Sequence, residues 1–271
     1  MQNGIRDFIY FLAVFIILIS SRQCSVYAAE IQEEPANQTN HGDLTQESSQ
    51  TLASLASITI RDLFIASFWD RPGSANIVEF RSLLPFKVWN QKNLMRISVP
   101  FRTHSEIGTG LNFVRIFDLV LLGHPKTLWG IGPVVNFGTG QRPGADTFQA
   151  GPAVGAVISS IKNLSFGILN QNLLSGQVAL STLQPILVYK LSESWTIGLG
   201  ELPLVYNWKK GEFSIFALGF QIGFVTKPGG QSIRVFLNPQ YNTTSNTELY
   251  RWTIASGLTF ILSPQSQQGL N

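Results

Sequence analysis

Between Asn93 and Arg102 the chain reads Asn-Leu-Met-Arg-Ile-Ser-Val-Pro-Phe-Arg. Met95, Ile97, Val99 and Phe101 fall on one face of an extended segment, and Arg96, Ser98, Pro100 and Arg102 on the other. A repeat of two is the signature of a β-strand with unlike faces. The alternation recurs along the chain and predicts twelve strands, over 57–69, 76–88, 93–102, 112–122, 128–138, 147–160, 164–172, 178–190, 195–206, 212–225, 231–242 and 249–262. In 76–88, Val78, Phe80, Leu84, Phe86 and Val88 oppose Glu79, Arg81 and Lys87. In 231–242, Ile233, Val235, Leu237 and Tyr241 oppose Arg234, Asn238 and Gln240, and in 249–262 the apolar even positions oppose Arg251, Thr253 and Thr259. Two segments disturb the pattern. Asp118 shares its face with Val114, Ile116 and Val120, and Glu201 follows Trp195, Ile197 and Leu199. One of them is expected to hold a bulge that resets the register.

The connections alternate in kind. One set, around Asn90–Asn93, Gly123–Thr127, Ile161–Asn163, Leu191–Ser194 and Thr226–Gly230, is short, with Lys92, Lys126, Lys162 and Lys227 in four of the five and Lys190 just before the other. The second set, including 103–111 and 139–146, is longer on average. Short turns at one end and longer loops at the other are the habit of membrane β-barrels. Seven prolines, Pro85, Pro100, Pro133, Pro152, Pro185, Pro203 and Pro239, fall inside the strands. A closed barrel has no edge on which to hide a missing N–H. Six of the prolines pair across hairpins, so they are expected at matched bends or bulges where the ladder is already broken.

Composition decides which face is wet. Charged residues are only 13% of the chain, about half the share usual in soluble domains, while apolar residues are 44%. Few charges without a long apolar run fit strands whose apolar face meets lipid; a secreted β-sandwich, which also alternates, is the other fold considered. The aromatics Trp69, Trp89, Trp129, Trp195, Tyr206, Trp208, Tyr250 and Trp252 lie near strand ends, as interfacial girdles do.

At the N-terminus Arg6 precedes the apolar run Phe8–Ser20, and Val26-Tyr27-Ala28 offers small residues for a signal peptidase. The expectation is a signal peptide over 1–28, a flexible polar linker over 29–56, the barrel over 57–262 and a tail over 263–271. Cys24 lies in the leader, which leaves an exported chain without disulfide or thiolate chemistry. Removing Arg6, Arg22 and Asp7 with the leader takes 19 basic and 16 acidic residues to 17 and 15, a net charge of +2, too mild to indicate a nucleic-acid partner.

The segments "NIVEFRSLLPFKVWNQKNLMRISVPF" (76–101), "LWGIGPVVNFGTG" (128–140), "FQAGPAVGAVI" (148–158), "LSTLQPILVYKL" (180–191), "VYNWKKGEFSIF" (205–216) and "LYRWTIASGLTFILSP" (249–264), in this order and spacing, carry a resemblance. The chain resembles the bacterial outer-membrane proteins labelled neuromedin U or transporter, which are grouped with the MetA-like barrels of phenol-degradation pathways. The resemblance implies a bacterial outer-membrane barrel with a transport role and brings no catalytic residues. It also implies contact with outer-membrane lipids and the barrel assembly machinery. That machinery reads an aromatic chain end, whereas here Ser263–Asn271 follow Phe260 and Leu262.

Candidate chemistry is sparse. Strand parity points Glu79, Arg81, Arg96, Arg102, Arg234 and Arg251 into the lumen, where arginines favour carboxylate or phosphate ligands. The bland reading of the same residues is a structural ion-pair network filling a narrow barrel. His104-Ser105-Glu106 does not make a triad, since a triad requires convergence in space, and the three histidines show no metal spacing. No cofactor, metal or catalytic residue is expected. The leading reading is a passive channel for small solutes, anionic or aromatic. A structural or surface-interaction barrel with a plugged lumen is the alternative, and a lipid hydrolase using His104 the third.

Overall fold

A strand with one apolar face must bury it, and a sheet that closes on itself removes both unpaired edges. The computed structural model describes residues 55–69, 71–105, 108–124, 126–139, 148–176, 178–245 and 250–262. The expected leader, nearly all of the linker and the tail lie outside them. The strands are β1 (Ser57–Phe68), β2 (Ala75–Val88), β3 (Gln91–His104), a two-residue β4 (Gly110–Leu111), β5 (Phe113–His124), β6 (Thr127–Gly138), β7 (Gln149–Ile161), β8 (Leu164–Leu174), β9 (Ala179–Lys190), β10 (Trp195–Gly198), β11 (Leu204–Asn207), β12 (Glu212–Gly219), β13 (Gln221–Thr226), β14 (Ser232–Asn242) and β15 (Tyr250–Ile261). β10 and β11 are halves of one interrupted stave, β12 and β13 of another, and β4 folds back on β3. Twelve antiparallel staves result. β1 closes the ring by pairing with β15, from Ser57 against Ile261 to Phe68 against Tyr250.

The outer face is apolar and exposed, with Ile60, Phe64, Ile131, Val154, Leu218 and Leu258 among many such side chains. Each would cost about 1.5–3 kcal/mol if fully left in water, so the band is built for acyl chains. Trp89, Trp129 and Trp195 ring the end that carries the short turns, and Trp208 and Trp252 the opposite, loop end. Tyr250 departs from the girdle expected of it and turns inward, because β15 bulges at Arg251, which is skipped between Ser67–Trp252 and Phe68–Tyr250. The two-residue turn Trp89–Asn90 has φ of 46° and 66°, the left-handed pair that matches strand twist in a tight hairpin.

The prolines explain where staves break. Pro133 and Pro152 face each other in an unbroken β6–β7 register. On Pro133's other flank, pairing with β5 skips from Phe117–Val134 to Val120–Ile131. On Pro152's other flank, pairing with β8 skips from Ala150–Leu174 to Ala153–Gln171. Pro185 pairs with Ile168 on one side and faces the 199–203 interruption on the other. Pro239 likewise pairs with Ile254 and faces the break at Phe220. A strand residue directs its N–H and C=O to one neighbour only, so each of these prolines presents its missing donor to a gap. The broken ladder expected at the prolines is therefore found on one flank of each of these four, with intact pairing on the other; Pro85 and Pro100 sit in the continuous β2–β3 register, and Pro203 lies in the break between β10 and β11.

Both segments with disturbed parity depart from regular pairing. Glu201 lies in the gap between β10 and β11, and Asp118 stays on the outward face beside the β5–β6 gap. The interior is unevenly filled. Leu94, Phe117, Leu119, Val134 and Leu169 form a dry cluster under β3 and β5–β8, whereas β14 and its neighbours present Arg234, Asn238, Gln240 and Asn242 inward.

Candidate functional site: an arginine-rich neck inside the barrel

Inward parity in β1 and β2 sets Arg61 directly opposite Glu79, with Arg81 two residues further along the same face. The interrupted stave supplies the fourth member. Gly200 has φ +67°, a conformation glycine accepts freely, and the turn it makes delivers Glu201 into the lumen. A side chain there would also meet Asn238 Nδ2 at 2.9 Å. Asn238 and Gln240 hold the irregular segment: Asn238 Nδ2 donates to the carbonyls of Phe220 (2.6 Å) and Leu199 (3.3 Å), and Gln240 Nε2 to that of Glu201 (3.2 Å). The lost ladder bonds are thus replaced by side-chain donors.

The four charges close a ring. Arg61 Nη1 donates to Glu201 Oε2 at 2.6 Å, and its Nε lies 3.4 Å from Glu79 Oε2. Arg81 Nη2 lies 3.1 Å from both Glu79 oxygens, and its Nη1 donates to Glu201 Oε1. Each carboxylate therefore bridges two guanidiniums. The ring stands between two cavities. One, of 240 Å³, lies toward the loop end, and the other, of 70 Å³, toward the turn end; Arg61, Arg81, Arg96 and Glu201 border both.

Charge is not balanced at this neck. Five arginines, Arg61, Arg81, Arg96, Arg115 and Arg234, border the cavities against two glutamates, Glu79 and Glu201. Arg96 is 6% exposed and lies over the Phe117 ring at 4.4 Å, with Nη1 unpartnered. Arg115 lies over Phe113 at 4.8 Å, with Nε unpartnered. Arg234 gives Nη2 to Gln221 Oε1 at 2.7 Å and packs by Phe236, beside Gly223, where a Cβ would come within 2.9 Å of that guanidinium.

Of the residues expected in the lumen, Glu79, Arg81, Arg96 and Arg234 border the cavities. Arg102 is buried on the same inward face, opposite Ile77 and Gly110, with Nε and Nη1 unpartnered. Arg251 is elsewhere: it is exposed at the loop end and covers the Trp69 ring at 4.7 Å. A bulge in β15, with Arg251 as its unpaired extra residue, turns Tyr250 inward and breaks strict alternation at this strand end, so parity misplaced Arg251. Arg61, Arg115, Glu201 and Gln221 were absent from the expected set. Their signal was weak, since Arg61 adjoins Asp62, Arg115 shares its strand with the contrary Asp118, and Glu201 stands between a glycine and a proline that end strands. His104 ends β3 in an exposed position, and Glu106 lies outside the described residues. Among the described residues no group of three acidic, His or Cys side chains is placed to hold a metal ion.

A closed twelve-stave barrel with an apolar belt and a charged interior defines a porin-like transmembrane barrel. Among solved structures, the COG4313 outer membrane channel from Pseudomonas putida F1 superimposes with a TM-score of 0.53 at 10% identity, over 79% of this chain and 98% of that one. The NanC porin superimposes with a TM-score of 0.51 at 12% identity, over 76% of this chain and 100% of that one. At such identities the likeness is one of fold. No protein-family profile matches the chain, and no curated protein matches it either.

Proposed function

We propose that the chain is a bacterial outer-membrane channel for small solutes, with a lumen that favours anions. The observation that carries the reading is the excess of arginine over carboxylate at the neck between the two cavities. A preorganised surplus of guanidinium attracts anions and repels cations in a low-dielectric bore. The fold shared with an outer membrane channel and a porin supports the location and the role. The order of the matching segments along the chain supports membership in the group labelled neuromedin U or transporter. In this reading the short turns face the periplasm, the barrel assembly machinery inserts the chain, and transport, not catalysis, is its work.

A second reading, a structural barrel with a plugged lumen, draws on the separateness of the two cavities and on the dry cluster beneath β5–β8. Flux decides between them. Liposomes carrying the refolded protein should release a trapped small anion such as chloride or acetate faster than empty liposomes. They should release it faster still with Glu201→Gln, which removes the bridge between Arg61 and Arg81. No flux from either protein would establish the plugged barrel instead.

A further inference from the structure

The 240 Å³ cavity has a feature beyond general anion preference. Ser98 on β3 is directly opposite Arg81 on β2 and directly opposite Arg115 on β5. Arg96 lies two residues along on the same inward face of β3. Directly paired strand residues have Cβ atoms about 4.5–5.5 Å apart, so three arginines are rooted around one of the shortest polar side chains. All four residues border this cavity. A hydroxymethyl group among three long arginines leaves a hollow in the wall rather than a ridge.

The arginines around that hollow are held and incompletely used. Arg96 rests on Phe117 and Arg115 on Phe113, which fixes the planes of their forks. Arg96 Nη1 and Arg115 Nε are buried donors without partners, a costly arrangement unless a ligand completes it. Arg81 is held by Glu79 and Glu201 from behind. Part of the remaining wall is different in character: Leu63, Ile77, Phe113 and Tyr250 present apolar and aromatic surface, beside polar side chains such as Gln171, Gln184 and Gln240. The volume is below the roughly 300 Å³ at which pockets for drug-sized ligands begin, so a single ring fits and an oligomer does not.

We propose that this cavity is a seat for one small organic carboxylate with a ring-sized apolar body. Its carboxylate lies over Ser98 between Arg81, Arg96 and Arg115, and its body rests against Leu63, Ile77, Phe113 and Tyr250. A planar carboxylate suits the guanidinium fork, and the body excludes water from around the ion pair. The proposal deepens the channel reading and rests on it for its physiological purpose, but the seat is measurable without conduction.

Calorimetric titration of the folded full-length exported chain in detergent, with benzoate as the probe, tests it. Benzoate should bind at one site, and inorganic phosphate and benzyl alcohol at least tenfold more weakly, because each supplies only half of the recognition. Arg115→Gln should weaken benzoate at least tenfold, and so should Ser98→Leu, which fills the hollow without changing charge. Arg251→Gln, at the exposed mouth, should leave the affinity unchanged. Retention of heat-modifiable gel migration identifies which variants are folded. Benzoate binding that is undiminished in both seat variants, or matched by phosphate or benzyl alcohol, would overturn the seat. Anion flux through liposomes with no benzoate binding would also overturn it while leaving the channel. Binding without flux would support the seat and remove the channel.

Discussion

Glu201 bridges two guanidiniums from a segment that belongs to no strand, and its removal should be felt twice. Breaking a buried ion pair by deleting one partner costs about 3–5 kcal/mol. The neck is in part wet, since the Glu201 side chain keeps 26% exposure. Glu201→Gln should therefore destabilise the barrel by about 2–3 kcal/mol in urea unfolding while it raises ion flux. Unchanged stability together with unchanged flux would deny the ring its role. Asp118 is the opposite case. It faces outward in mid-strand, with Oδ1 lacking a partner, among Val114, Ile116 and Val120. A carboxylate on the lipid face is unfavourable, so Asp118→Leu should stabilise the barrel by about 1–2 kcal/mol in the same measurement. The sequence revealed Glu79, Arg81, Arg96 and Arg234 because their strands alternate without interruption. It could not place Arg61, because Asp62 beside it puts a charge on each face, and only the hydrogen bond from Asn76 Nδ2 to Asp62 Oδ1 (2.8 Å) shows how the outward acid is tolerated. Arg251 was misplaced because it is itself the unpaired extra residue of a bulge in β15, offset by an extra residue, Ala66, in β1, and neither position is marked by a glycine or proline.

At the scale of the element, the interruptions are what convert a regular barrel into one with a neck. Were β10 and β11 continuous, residue 201 would be fixed by the ladder and unable to reach both arginines. The staves themselves were legible, because a strict period of two sustained over about ten residues is the mark of a strand and of little else. The breaks were legible only as prolines, and which flank would break depends on the direction of one N–H, a property of the pairing. Pro133→Ala and Pro239→Ala should change stability by less than about 1 kcal/mol, since the restored donor faces a gap and the added freedom of the unfolded chain is small. A loss of several kcal/mol at either site would mean that the ring of proline itself holds the break open. Gly132→Ala is expected to behave differently. A Cβ there would collide with the backbone oxygen of Asp118, a contact that only a backbone movement relieves. It should cost about 3 kcal/mol or more, read as a lowered urea midpoint and poorer refolding.

For the whole molecule, fold and function rest on one partition: an outer belt that only acyl chains solvate well, and an interior where arginine outnumbers carboxylate. The first half was readable from composition and period, because few charges combined with alternation leave little choice of solvent. The arginine excess of the second half was readable from strand parity, but the neck was not, since it depends on which side chains converge across strands far apart in sequence, as Arg61, Arg81 and Glu201 do. A neck of this sign and narrowness should pass small anions slowly and cations hardly at all. The most direct measurement is the reversal potential of the protein in a planar bilayer under a potassium chloride gradient. The expected result is a small conductance whose reversal potential has the sign of chloride selectivity, shifting toward stronger selectivity with Glu201→Gln. A potassium-selective current, or a silent membrane with both proteins present in folded form, would contradict it.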